Sequence, residues 1–247
     1  MTEFSKGRFA DICRRDAERE PPASYGGIGT YREKRLHRIL KSFACEDTST
    51  HEIPVGSYIA DVLTEGHIYE IQTGSFRLLR KKLEYYLNET DLQVTVIYPI
   101  IARKTIIRMD KETGEVLRKR LSPTKGRVED ILPELYWVSD IFDSPRLSFC
   151  AMLIDAEEIR FSERIKYRKS GAYDSELFPK ELADHLFICG TDSLSGFIPE
   201  NTECFSAKEY SAFTGLKGRA VYSALNFFCA CGRLERRKDG KRYLYYT

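Results

Sequence analysis

The segment ADVLTEGHIYEIQTG, residues 60–74, carries two carboxylates, Asp61 and Glu70, and one amide, Gln72, around what reads as a tight hairpin. Glu65 and Gly66 suit the central positions of a two-residue turn, which pairs Thr64 with His67, Leu63 with Ile68, and Asp61 with Glu70. Directly opposed residues project from one face with Cβ atoms roughly 5 Å apart. Like charges held that close must protonate, separate toward solvent or share a cation. Two hard oxygen ligands on strands suit Mg²⁺ (or Mn²⁺), which completes its shell with water and phosphate oxygens. Gln72 has the strand parity of Glu70 and is expected to face the same site. The plainer reading is a solvated sheet face, where opposed acids cost at most about 1 kcal/mol. The hairpin alone supports both.

The flanking sequence supplies the elements that would hold this pair. Leu36, Ile39, Leu40 and Phe43 recur at helical spacing after Thr30, with Glu33 three residues on completing a capping box, so a helix is expected from about Tyr31 to Phe43. IPVGSYIADVL and HIYEIQT alternate as strands, FRLLRKKLEYYL is an amphipathic helix, and LQVTVIYPII is a nearly continuous apolar strand. A further hairpin is expected at about 103–121, a helix near 127–138, and a buried strand at RLSFCAMLI. Residues 1–24 read as a mobile polar arm with one short helix, and YGGIG at 25–29 as a flexible approach to the next helix. The charged run after Asp155 places a linker at 166–177, between a domain at 25–165 and a second at 178–247.

The chain of 247 residues is 42% hydrophobic and 31% charged, ordinary for a globular protein with a sizeable core. No run approaches the roughly 18 apolar residues that span a bilayer, and the first residues lack a secretory apolar stretch, so a cytoplasmic protein off the membrane is expected. Seven cysteines, odd in number and without C-x-x-C spacing, indicate neither a disulfide framework nor a zinc knuckle. The CAC at 229–231, with Cys204 and His185 upstream, reads more simply as core packing than as a metal site. Charge is uneven: Cys204 to Thr247 holds nine basic and three acidic residues, a local +6 in a chain of net +2.

The order helix, strand, strand, helix, strand, with Asp61 on one strand and Glu-x-Gln at 70–72 on the next, resembles the PD-(D/E)XK nuclease superfamily over about residues 28–100. The resemblance implies a restriction-endonuclease-like α/β fold, a mixed sheet flanked by helices, in which Asp61 and Glu70 ligate the metal and the Ile71 carbonyl adds a ligand. Glu33 would be the helix Glu that points into the site in several members; its plainer role is the capping box. Gln72 stands where the commonest form of the motif has Lys. A neutral amide positions water but supplies no charge, so the charge would come from the following helix, with Lys82, Arg77 and Lys81 as candidates. Some members of the superfamily resemble this chain in using Glu-x-Gln.

The C-terminal stretch reads as helix, turn, helix and hairpin: Ser206 caps a helix to about Phe213, a second helix carries Val221, Leu225 and Phe228, and two strands surround Asp239-Gly240. With FPKELADHLFIC as a preceding helix it resembles a winged helix-turn-helix domain. That resemblance implies a nucleic-acid face built from Lys217, Arg219, Tyr222, Ser223 and Asn226 on the recognition helix and from Arg236, Arg237, Lys238, Lys241 and Arg242 on the wing.

Together these features lead to a Mg²⁺-dependent DNA endonuclease, RNA being the other nucleic acid such a surface accepts, with a homodimer as one way to cut both strands. A catalytically inactive nuclease-like DNA-binding regulator or assembly module is the alternative, and a protein-interaction adaptor a third. DNA binding without turnover would mark the second, and no salt-dependent DNA affinity the third.

Overall fold

The computed structural model describes residues 4–19, 31–162, 175–200 and 202–247, except for the side chains of 31–34. The YGGIG segment, Thr30 and most of the expected linker lie outside the described residues. The protein is a mixed α/β structure built on a large mixed sheet with flanking helices. The helices are α1 (Lys6–Arg19), α2 (Tyr31–Ala44), α3 (Phe76–Glu89), α4 (Leu132–Leu135), α5 (Ala207–Thr214) and α6 (Arg219–Ala230). The strands are β1 (His51–Val55), β2 (Tyr58–Thr64), β3 (His67–Ile71), β4 (Gln93–Asp110), β5 (Val116–Leu121), β6 (Leu147–Ser162), β7 (Ser175–Ile188), β8 (Cys204–Ser206), β9 (Glu235–Asp239) and β10 (Arg242–Tyr246). Strand pairing follows the order β1-β2-β3-β4-β6-β7, with β5 on β4, and a second sheet runs β8-β10-β9. Among the described residues no helix is long and apolar enough to cross a membrane.

The chain forms two compact units that do not follow chain order: Met1–His51 with Pro99–Arg127 and Met152–His185, and Glu52–Tyr98 with Val128–Ala151 and Leu186–Thr247. Both therefore draw on the span expected as one domain at 25–165.

In the first unit α1 is no mobile arm. Phe9, Ile12 and Cys13 form an apolar stripe at helical spacing that is buried, with Phe9 edge-on to Phe43 of α2 at 5.2 Å. Arg35 of α2 is 2% exposed and bonds Asp16 of α1 at 2.5 Å and Glu176 of β7 at 2.6 Å, and its guanidinium lies 4.4 Å from the Phe178 ring centroid. This unit also holds the β4–β5 hairpin, Thr105 opposite Leu121 through Arg108 opposite Arg118.

Residues 178–188, expected to be a helix, belong to strand β7. Phe178, Leu182 and Leu186 have i, i+4 spacing, which mimics a helical face. Pairing with β6 overrides that local preference, as non-local contacts commonly do.

In the second unit β2 and β3 pair antiparallel with Val62 opposite Tyr69, Leu63 opposite Ile68 and Thr64 opposite His67. Gly66 takes the left-handed φ of +76° that the turn requires. Strand β3 runs parallel to β4, Glu70 beside Val96 and Ile71 beside Ile97. Helix α3 starts at Ser75, whose hydroxyl accepts from the Arg77 N–H, and buries Phe76, Leu79, Leu83, Tyr86 and Leu87. The helix expected near 127–138 is three short pieces, 3₁₀ at Val128–Ile131, α4, and 3₁₀ at Tyr136–Val138. Phe142 packs edge-on to Phe227 of α6 at 5.0 Å, and Glu134 accepts from the Phe76 N–H at 2.9 Å.

The C-terminal elements of this unit match the sequence closely. Ser206 and Glu209 form a reciprocal capping box on α5, and Gly215 closes it in the left-handed conformation. Strand β10 pairs with β9, Arg242 opposite Asp239, so the turn residues are Gly240 and Lys241, one place on from the expected pair.

Candidate functional site

The β2–β3 pairs end at Val62 opposite Tyr69, and the same register extended by one residue would set Asp61 opposite Glu70 on one face. Asp61 is half-buried, and its Oδ2 accepts from the Ile71 N–H at 2.8 Å. That bond fixes the carboxylate against the end of β3. Glu70 is 2% exposed. Its Oε2 accepts from Lys82 Nζ at 2.5 Å and its Oε1 from the Tyr86 hydroxyl at 3.2 Å. Lys82 and Tyr86 are four residues apart on α3 and therefore share one helix face. The hairpin supplies two acids, and the helix a cation and a proton donor.

The electrostatics follow from this enclosure. Burial is the main force raising the Glu70 pKa, to about 7; Asp61 pushes the same way, while Lys82 and the Tyr86 hydrogen bond pull it down. Burial and the neighbouring carboxylates also raise the Tyr86 hydroxyl well above the ordinary tyrosine range, so it stays a hydrogen-bond donor. Near neutral pH Glu70 is poised between its two protonation states.

Of the expected site residues, the structure brings together Asp61, Glu70, Lys82 and Ile71, the last through its N–H. The Gln72 side chain bonds to the start of α3 rather than to the carboxylates. The Gln72 backbone N–H donates to the Ile97 carbonyl at 3.0 Å, and its side-chain amide donates to the Ser75 carbonyl at 3.0 Å, tying the end of β3 to the start of α3. The other candidate cations lie outside the cluster: Arg77 is exposed and sits 5.4 Å from the Trp137 ring centroid, and Lys81 is exposed. Glu33 is within α2, but its side chain lies outside the described residues. Tyr86 is the member that sequence reasoning missed; its position one helical turn beyond Lys82 was the available signal.

Two carboxylates without sulfur or imidazole form a donor set for a hard, oxygen-preferring cation. Among the described residues no group of three or more His, Cys, Asp or Glu side chains is arranged to hold a metal. A cation at Asp61 and Glu70 would thus draw the rest of its shell from backbone, water or substrate. Cys13 and Cys150 are buried, and burial pushes both thiols up to about 12, which makes them packing groups rather than nucleophiles.

On the C-terminal elements, Lys217, Arg219 and Tyr222 are exposed along the start of α6, while Ser223 and Asn226 are half-buried. Arg236, Arg237, Lys238, Lys241 and Arg242 are all exposed on the β9–β10 hairpin. Arg236 stacks over Tyr243 at 5.1 Å and Arg237 over Tyr246 at 4.6 Å, and Arg237 also pairs with Glu235 at 2.6 Å. These contacts hold the guanidinium planes against the hairpin.

No solved structure matches the chain. An uncharacterized protein of Treponema pallidum (strain Nichols) is 34% identical over 154 residues, 61% of this chain. The aligned part is 60% of that relative's length. A family model described as a domain of unknown function (DUF8091) matches residues 34–186, which include Asp61, Glu70 and Lys82 and stop before β8. The chain belongs to this DUF8091 family.

Proposed function

We propose that the protein is a divalent-metal-dependent deoxyribonuclease, with a restriction-endonuclease-like core and a C-terminal winged helix that docks it on DNA. The observation that carries this reading is the Asp61–Glu70 pair, locked by the Ile71 N–H on one side and met by Lys82 from α3 on the other. A lysine delivered from the helix after Glu-x-Gln supplies the charge that Gln72 lacks. The strand, two helices and hairpin of the C-terminal elements, with β10 between β8 and β9, support the winged-helix reading. In place of the expected preceding helix, a 3₁₀ segment at Thr191–Phe197 leads into β8, with the Phe197 carbonyl accepting from the Tyr210 hydroxyl at 3.1 Å.

Asp61 and Glu70 would hold Mg²⁺ or Mn²⁺, which when bound supplies Lewis acidity and lowers the pKa of water. Lys82 keeps a positive charge beside the carboxylates, where negative charge grows on a phosphodiester under attack. The Tyr86 hydroxyl orients Glu70 by donating to one of its oxygens, and the Ile71 N–H does the same for Asp61. The exposed cations of α6 and the β9–β10 hairpin would bind phosphates and position the duplex. Cutting both strands would call on two copies of the chain.

The test is cleavage of labelled duplex, single-stranded and branched DNA with Mg²⁺ or Mn²⁺. Wild type is expected to cut, and Asp61→Ala to lose at least about a hundredfold in rate while retaining DNA affinity. Persistent cleavage by Asp61→Ala would overturn the assignment. A second reading, a nuclease-like DNA-binding regulator without catalysis, is favoured by the engagement of Gln72 with Ser75. DNA binding by both proteins with cleavage by neither would establish it.

A further inference from the structure

The β4–β5 hairpin of the first unit places like charges directly opposite each other: Arg108 faces Arg118, and Ile106 faces Arg120 two places along. Alternation puts all four on one face of the ribbon. Arg160 of β6 joins them, and these five residues line a cleft of about 100 Å³. Among the described residues, an acid beside this face is Glu158, buried, which Lys104 bonds at 2.6 Å and Arg160 at 3.2 Å. All six residues of β5 are exposed, so Arg118 and Arg120 reach solvent.

Opposed like charges on paired strands are destabilising. Clustered guanidinium groups match the oxygens of a phosphate, which they bind in planar, bidentate fashion. The cleft is well below the roughly 300 Å³ of a typical small-molecule site, so it admits a phosphate group rather than a whole nucleotide. Among the described residues its lining includes one aliphatic side chain, Ile106, and no aromatic ring to stack on a base. The open, basic strand along its rim suits consecutive charges on a chain.

We propose that this arginine-lined face binds the phosphodiester backbone of DNA, as a second docking surface separate in sequence from the C-terminal elements. The choice of DNA as ligand rests on the function proposed above. Contacts of this kind are independent of base sequence and strongly dependent on salt.

The experiment measures fluorescence anisotropy of a labelled DNA duplex with the full chain across a salt series. It compares wild type, Arg118→Ala/Arg120→Ala, Arg118→Lys/Arg120→Lys and Arg236→Ala/Lys238→Ala. The ribbon alanine pair is expected to bind about tenfold more weakly and to lower the slope of log affinity on log salt by about 2, the loss of two phosphate contacts. The lysine pair is expected to restore most of that slope, while circular dichroism and the melting temperature stay unchanged in both. An unchanged slope for the ribbon alanine pair, with a reduced one for Arg236→Ala/Lys238→Ala, overturns this inference and leaves the proposed function standing. Absence of DNA binding by wild type overturns both. Binding of phosphatidylserine vesicles that depends on Arg118 and Arg120, with unchanged DNA affinity, would assign the face to a membrane and likewise overturn the inference.

Discussion

Glu70 is the residue on which the chemistry and the stability of the site meet. Its pKa is raised by burial from 4.5 to about 7, so between those values the folded protein holds a proton that the unfolded chain has released. Stability is therefore expected to fall as pH rises through that window and to level off above it. Glu70→Gln should abolish this slope and be more stable than wild type at pH 8 by about 3 kcal/mol, the equivalent of the shift. Urea denaturation at pH 5 and pH 8 reads both effects, and a wild-type slope that survives in Glu70→Gln would show that another group carries it. Lys82→Met should act in the opposite sense: at pH 8 it leaves a buried carboxyl without its cation, which then takes up a proton, so the loss is about 1 kcal/mol. At pH 5, where Glu70 is protonated, that cost should largely disappear. A pH-independent loss would mean that the Lys82 side chain contributes packing rather than charge. Asp61 and Glu70 were legible in the sequence because a two-residue turn fixes cross-strand register. The bond from Gln72 to Ser75 was not, since it depends on how the chain passes from β3 into α3.

At the scale of elements, what positions the site is the packing of α3 on the hairpins before it. Gly56 sits at the β1–β2 turn with φ +58°, and a Cβ there would meet the Tyr85 hydroxyl oxygen at 1.7 Å. Gly56→Ala combines an unfavourable backbone conformation with displacement of Tyr85 on the helix that carries Lys82 and Tyr86. It should cost about 1–3 kcal/mol, seen as a lower midpoint in thermal unfolding; an unchanged midpoint would show that Tyr85 swings aside freely. Helices α2, α3, α5 and α6 were readable because each has an apolar stripe at helical period, and α5 a capping box besides. Strand β7 was not: Glu181, Leu182 and Ala183 favour a helix locally, and only pairing with β6, distant in sequence, decides otherwise. The short helix expected within residues 1–24 is α1, but its packing is less legible, because Phe9, Ile12 and Cys13 are few among many charges.

In the whole molecule, β4 and β6 each run from one compact unit into the other, so neither unit corresponds to a continuous stretch of chain. That arrangement cannot be read from local composition: the charged run after Asp155, which suggests a linker at 166–177, begins within strand β6. The second unit gathers both the acidic pair and the basic C-terminal hairpin, so the carboxylates and the exposed cations belong to one body. The account depends on that acidic pair taking up a divalent cation. Titration of Mn²⁺ into the full chain at pH 8, followed by electron paramagnetic resonance, measures this directly. One saturable site is expected in wild type, weakened as pH falls below about 7 with protonation of Glu70, and lost in Asp61→Asn. Failure of wild type to bind Mn²⁺, or the same affinity and stoichiometry in Asp61→Asn, would contradict it.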